Sequence, residues 1–183
     1  FACCQYSHSA IEAVLKILSK MEPRPNFKAI ERIRLKTHWR GKLLSNLEPK
    51  TTLAAKFSME HILATSIYHG SANVEAFNSE TLNNQDIKEL RDKVDMYLYD
   101  PEPMSPNDRP AEVSIQLSDG KKYTHECLIA EGSASKPFTS ETVRHKIRCT
   151  LLRHYPNLHI PLKSILELEE ITLKAPWREI LQE

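Results

Sequence analysis

The stretch EVSIQLSDGKKYTHECLIA, residues 112–130, constrains the fold of this chain more than any other. Val113, Ile115 and Leu117 alternate with polar residues, the period of a strand with one covered face. Asp119-Gly120 then supplies a turn that needs positive φ, and Tyr123, His125, Cys127 and Ile129 resume the alternation. The pattern is that of a β-hairpin.

Two further strands are expected. In VDMYLYD, Val94, Met96 and Leu98 alternate with Asp95, Tyr97 and Tyr99. In FKAIERIRLKTHW, Ile33, Leu35 and Thr37 alternate with Arg34, Lys36 and His38, while Ile30 is out of phase and predicts a bulge. The remaining hydrophobic spacing is helical. Ser9 to Met21 places Ile11, Val14, Leu15, Leu18 and Met21 on one face, with Ser9 and Glu12 as a capping box and Pro23 and Pro25 as the stop. TTLAAKFSMEHILATSIYHG, residues 51–70, reads as one helix and the most buried one, with Leu53, Phe57, Met59, Ile62, Leu63 and Ile67 round its cylinder and Gly70 at its C-terminus. A short helix starts near Ser79. Another follows Thr139 or Ser140, with Val143, Ile147 and Leu151 at one-turn spacing and Pro156 as its stop. Pro161 opens a further helix, and Trp177, Ile180 and Leu181 give the tail an apolar face. Between the strands, PEPMSPNDRP reads as a long exposed loop.

This order, with no repeated strand–helix–strand alternation, disfavours a doubly wound parallel sheet. It predicts an α+β fold, a small and mostly antiparallel sheet of about four strands covered by helices. The length of 183 residues suits one domain with an appendage. The expected division is an α+β domain over residues 1–155 and C-terminal helices over 156–183.

Net charge is +1, from 25 basic and 24 acidic residues, which argues against a strong non-specific nucleic-acid binder. No apolar run approaches the roughly 20 residues of a membrane span. Cys3, Cys4, Cys127 and Cys149 contain no C-x-x-C pair, which disfavours a zinc ribbon, and they read as reduced thiols. No metal site is expected. With four glycines there is no dinucleotide fingerprint or phosphate loop, and neither G-x-S-x-G nor H-E-x-x-H occurs.

Histidine is the usual general acid or base near neutral pH, so the eight histidines are the first chemical candidates. His8 lies just ahead of a helix, where a side chain can face a cleft; the plainer reading is an exposed residue. His61 lies mid-helix in apolar surroundings; the plainer reading is a core histidine satisfied by one hydrogen bond. His38, His125, His145, His154 and His159 read as surface residues. Cys3 and Cys4 have no partner at a recognised spacing and read first as small buried thiols.

Taken together, four segments resemble motifs of the MmgE/PrpD family. They are FACCQYSHSAIEA, AKFSMEHILATSIYHG, VSIQLSDGKKY and GSASKPFTSETVRHKI, in the family's order from Phe1 to about Leu152. The resemblance implies the C-terminal, α+β lid of a two-domain enzyme, with a helical domain, absent here, packing on the tail's apolar face. It places Phe1 just after the lysine that opens the first motif. The family includes 2-methylcitrate dehydratase, cis-aconitate decarboxylase and iminodisuccinate epimerase, lyases and isomerases that act on small di- and tricarboxylates without cofactor. The shared chemistry is proton transfer at a carbon beside a carboxylate.

Carried over by position, the resemblance implies His8 and His61 as catalytic residues. It implies Cys4, Lys56 and Ser58 as substrate-binding residues. Position 61 carries His where many members have Tyr, a departure that puts substrate and activity in question. The resemblance further implies a homodimer when the helical domain is present, a cytoplasmic or mitochondrial-matrix location, and no nucleic-acid or membrane partner. Two other readings remain: a non-catalytic binding module that keeps the fold, and an unrelated α+β domain.

Overall fold

The computed structural model describes residues 1–158 except 22, 24, 25, 106, 108, 153 and 154. The described chain divides into two compact units, the first over Phe1–Lys136 and the second beginning at Pro137.

In the first unit, four strands form one sheet: β1 (Ile30–Thr37), β2 (Val94–Leu98), β3 (Ala111–Leu117) and β4 (Lys122–Cys127), in the order β2-β1-β3-β4. β3 and β4 form the expected hairpin, with Gly120 at φ 84° in its turn. A side chain at that φ would be strained, so Asp-Gly sets this register. β1 is antiparallel to β3, and the expected irregularity at Ile30 is present as a register shift between Ile30 and Arg32. β2 runs parallel to β1, with Ile33 opposite Val94 and Thr37 opposite Leu98. The sheet is therefore mixed, with two antiparallel pairings and one parallel pairing. A parallel neighbour requires a long crossover. Residues 38–93 supply it, as a chain of helices.

These helices are α2 (Trp39–Lys42), α3 (Thr52–Ala55), α4 (Met59–His69), α5 (Ser79–Asn83) and α6 (Gln85–Asp92); α1 (His8–Leu18) precedes them. Ile11, Val14 and Ile17 of α1, Met59 and Leu63 of α4, and Leu90 of α6 are buried, as are Ile33, Leu35, Val113 and Ile115 of the sheet. At ~25 cal/mol per Å² of apolar surface, each such side chain contributes roughly 1.5–3 kcal/mol. The other sheet face carries Arg32, Arg34 and Gln116, in line with the strand alternation.

Several local expectations are corrected. The 51–70 stretch is two helices, not one. The chain breaks at Lys56–Ser58 because Ser58, in an extended conformation, caps α4 by accepting from the backbone N–H of His61. Leu53 and Phe57, left outside that helix, are 67% and 51% exposed rather than buried. Gly70 does close α4, at φ 67°. The short helix from Ser79 is likewise two, because Asn84 ends α5 and caps α6.

Ser9 and Glu12 form no capping box. A 3-10 turn over Gln5–Ser7 leads into α1, and the Ser7 hydroxyl donates back to the Cys4 carbonyl. The Glu12 carboxylate instead accepts from the backbone N–H of Glu131 and from Lys136 Nζ, binding residues 131–136 to α1.

In the second unit, α7 (Ser140–Ile147) is capped by Thr139 and continues into a π-helical turn over Arg148–Leu152 and a 3-10 turn over Pro156–Leu158. The helix expected from Pro161 and the amphipathic tail lie outside the described residues. Among the described residues, no helix is long and apolar enough to cross a membrane.

Candidate functional site

The five candidate residues lie on two segments that meet. The backbone N–H of Cys4 donates to the carbonyl of Lys56 at 3.0 Å, and that of Ala2 donates to Ala72 at 3.0 Å. The first bond holds the N-terminal segment to the corner between α3 and α4, and the second ties it to the loop that follows α4. Cys4, Lys56 and His8 are all partly exposed. His8 opens α1; its Nε2 donates to the Cys3 carbonyl at 3.3 Å, and Phe1 meets its ring edge-on at 5.2 Å. A neutral ring in that tautomer carries its basic lone pair on Nδ1. Burial raises the Cys3 thiol pKa, while the Ser7 hydroxyl, 3.4 Å from its Sγ, acts the other way. Cys3 and Cys4 are half-buried, and all four cysteines are unbridged.

Ser58 is fully buried and has a structural task. Its hydroxyl donates to the Asn46 carbonyl at 2.5 Å while capping α4. Next to it, Glu60 accepts from the Ser45 hydroxyl at 2.6 Å and from the Asn46 backbone N–H at 2.9 Å. The corner is thus fixed by three bonds to one loop, plus the Met59 N–H to the Leu44 carbonyl.

His61 lies one turn further into α4 and is 0% exposed. Arg91 of α6 donates from Nη1 to Nδ1 at 3.3 Å, so Nε2 carries the proton and donates to Thr81 Oγ1 at 3.4 Å. Thr81 passes its own proton to the Asn78 carbonyl at 2.8 Å. Burial, with the charge of Arg91 in second place, pushes the His61 pKa down to about 4. The ring is neutral at physiological pH and has two partners, one more than the core-histidine reading anticipated. It faces α5 and α6, whereas Cys4 and His8 approach the first end of α4 from the N-terminal segment.

Two residues were not legible as part of this region. His38, expected at the surface, is 1% exposed. Its Nδ1 accepts from the Gly41 N–H at 3.2 Å, capping α2, and its Nε2 donates to the Tyr6 carbonyl at 3.2 Å. The ring thereby ties the end of β1 to the N-terminal segment. A histidine directly ahead of a helix, at the end of a strand, is the signal that could have found it. Arg91 reads as one charge in a polar helix, and only the tertiary contact with His61 marks it out. Among the described residues, no three metal-ligating side chains cluster.

The MmgE/PrpD C-terminal domain model matches residues 1–164. The chain is also 30% identical over 100 residues to cis-aconitate decarboxylase of Mus musculus, a match that covers 55% of this chain and 20% of that protein. The chain thus corresponds to about a fifth of the length of the curated relative it matches. With nine-tenths of its residues inside the family model and an α+β fold of the expected kind, the chain belongs to the MmgE/PrpD family and represents its C-terminal domain.

Proposed function

We propose that this chain is the lid portion of a cofactor-independent lyase or isomerase that acts on small di- or tricarboxylates by proton transfer beside a carboxylate. In this reading His8 is the lid's acid–base group. Lys56 and Cys4 hold a substrate carboxylate beside it, and Ser58 acts by shaping the corner that presents Lys56. A helical domain supplies the opposite wall of the cleft, and the whole enzyme is a homodimer. The observation that supports the reading is the Cys4–Lys56 backbone bond, which brings the N-terminal segment that carries His8 alongside the residue before α4, with Cys4, His8 and Lys56 all partly exposed. A positioned base beside a cation is what enolate formation demands. Membership of a family that includes a cis-aconitate decarboxylase supports the substrate class.

The test is an assay of the protein with its helical domain against cis-aconitate, 2-methylcitrate, citrate and iminodisuccinate, following product and proton–deuterium exchange together. Turnover or exchange that falls at least 100-fold in His8→Ala supports the reading. Full activity in that variant refutes the role of His8.

A second reading, a binding module that keeps the fold without catalysis, is favoured by one observation. His61, at a position where many members have Tyr, is enclosed and bonded at both ring nitrogens. Binding of a tricarboxylate with neither product nor exchange would decide for it.

A further inference from the structure

A pocket of about 260 Å³ opens beside α5 and α6, lined by Lys50, Lys88 and Arg91 with Asn83, Gln85 and Glu48. Its charges are unequal. Glu48 is the single carboxylate in the lining, and it already accepts from Lys50 Nζ at 3.0 Å. Lys88 and Arg91 are thus in excess.

Arg91 is the unusual member. It is only 4% exposed, yet among the described residues no carboxylate lies within ion-pair distance of it. Its Nη1 bonds to the uncharged His61 ring, and its buried Nε has no hydrogen-bond partner. Asp92, Glu48 and Glu60 act on it only from beyond ion-pair distance, and a guanidinium withdrawn from water without a contacting counter-ion is costly. A planar fork of donors also matches carboxylate and phosphate oxygens better than any other ligand chemistry. Asn83 adds a neutral amide to the same wall, while the Gln85 amide donates to Glu89 at 3.4 Å.

We propose that this pocket is a binding site for a small oxyanion, a free phosphate or a small polycarboxylate, with Arg91 as its buried anchor and Lys88 as its exposed clamp. The site is separate from the His8–Lys56 edge, since none of the residues on that edge lines it. It also does not depend on the reaction proposed above. Because Arg91 stands between the pocket and His61, an anion drawn to the guanidinium is sensed by the His61 ring. The pocket is thereby coupled to α4.

The experiment is a calorimetric titration of the protein with inorganic phosphate and, separately, with citrate, at constant ionic strength set by chloride. It is accompanied by NMR of the His61 ring. Saturable binding of either anion, weakened roughly tenfold in Lys88→Ala and accompanied by a shift of the His61 resonances, supports the site. Phosphate alone or citrate alone identifies which source the pocket accepts. Lys88 is exposed and makes no side-chain bond among the described residues, so its substitution leaves the fold intact; Arg91→Lys tests the anchor and should weaken binding at least as much. His8→Ala should leave the Lys88-dependent phosphate binding and the accompanying His61 shift unchanged, which separates this site from the proposed catalytic edge. The proposal is overturned if neither anion binds saturably, if Lys88→Ala binds as the parent does, or if the His61 resonances do not respond.

Discussion

Lowering the pH should destabilise this protein through His61, and the size of the effect follows from where the ring sits. In the unfolded chain its pKa is near the ordinary 6.5; in the folded chain burial and the Arg91 charge push it down to about 4. The unfolded state therefore binds the proton first, and stability falls as pH drops through the interval between the two values. A tenfold difference in proton affinity is worth about 1.4 kcal/mol, so the loss from this group is about 2 kcal/mol between pH 7.5 and pH 5, and approaches about 3 kcal/mol near pH 4. The charged groups concerned are few: Arg91 across the interface with α6, and His69 further along α4. Thr81, on α5, is neutral and its hydroxyl is already committed to Asn78.

The assay is urea denaturation at pH 7.5, 6 and 5 of the parent protein and of His61→Gln. Burial also lowers the pKa values of His69 and His125, so their contributions have the same sign, and only the difference between the two proteins isolates His61. Glutamine can still accept from Arg91, but it does not titrate. Its stability should therefore fall by about 2 kcal/mol less over that range than the parent's. Parallel pH dependences in the two proteins would refute the enclosed, neutral His61 and the Arg91 contact that holds it.

Glu60→Ala should destabilise by about 3 kcal/mol, since it removes two bonds to a buried carboxylate that anchor residues 45 and 46 to α4; Glu60→Gln, which can keep the Asn46 bond, should lose less than half of that in the same denaturation experiment. Gly41→Ala should lower the melting temperature by several degrees, about 1–3 kcal/mol, because a Cβ there would run into Thr37 Oγ1 and press on His38 Nε2 and Met59 Cε at 3.3 Å. Thr37→Ala in that background, which removes the obstructing hydroxyl, should recover part of the loss, and thermal melts of the single and double variants will read it.

Local rules served well where the cause was local. Asp119-Gly120 forces a turn whatever surrounds it, the out-of-phase Ile30 marks the register shift in β1, and Gly70 ends α4 because it alone takes φ 67° without strain. The one-sided alternation of Val113, Ile115 and Leu117 requires that one sheet face be covered, and the helical spacing of the other segments supplies the cover, hence an α+β fold.

What the amino-acid order left open depended on partners far along the chain. Nothing in Val94–Leu98 tells whether that strand pairs parallel or antiparallel; the length and packing of the helical crossover decided it. Ser9 and Glu12 have the spacing of a capping box, but Glu12 gains more from the Glu131 N–H and the Lys136 ammonium, 119 and 124 positions away. His38 looks like the polar phase of a strand until the chain turns and buries it under Tyr6. His61 looks like a catalytic candidate or a core residue equally well. Only the folding of α6 against α4 puts Arg91, 30 positions on, against its ring, and so makes it neutral and enclosed. The sequence alone determined the strands and most of the helical segments, because those follow from short-range sterics and periodicity, and its motifs marked the family. Tertiary structure decided which polar groups meet, because hydrogen bonds and charges act only across the distances that packing sets.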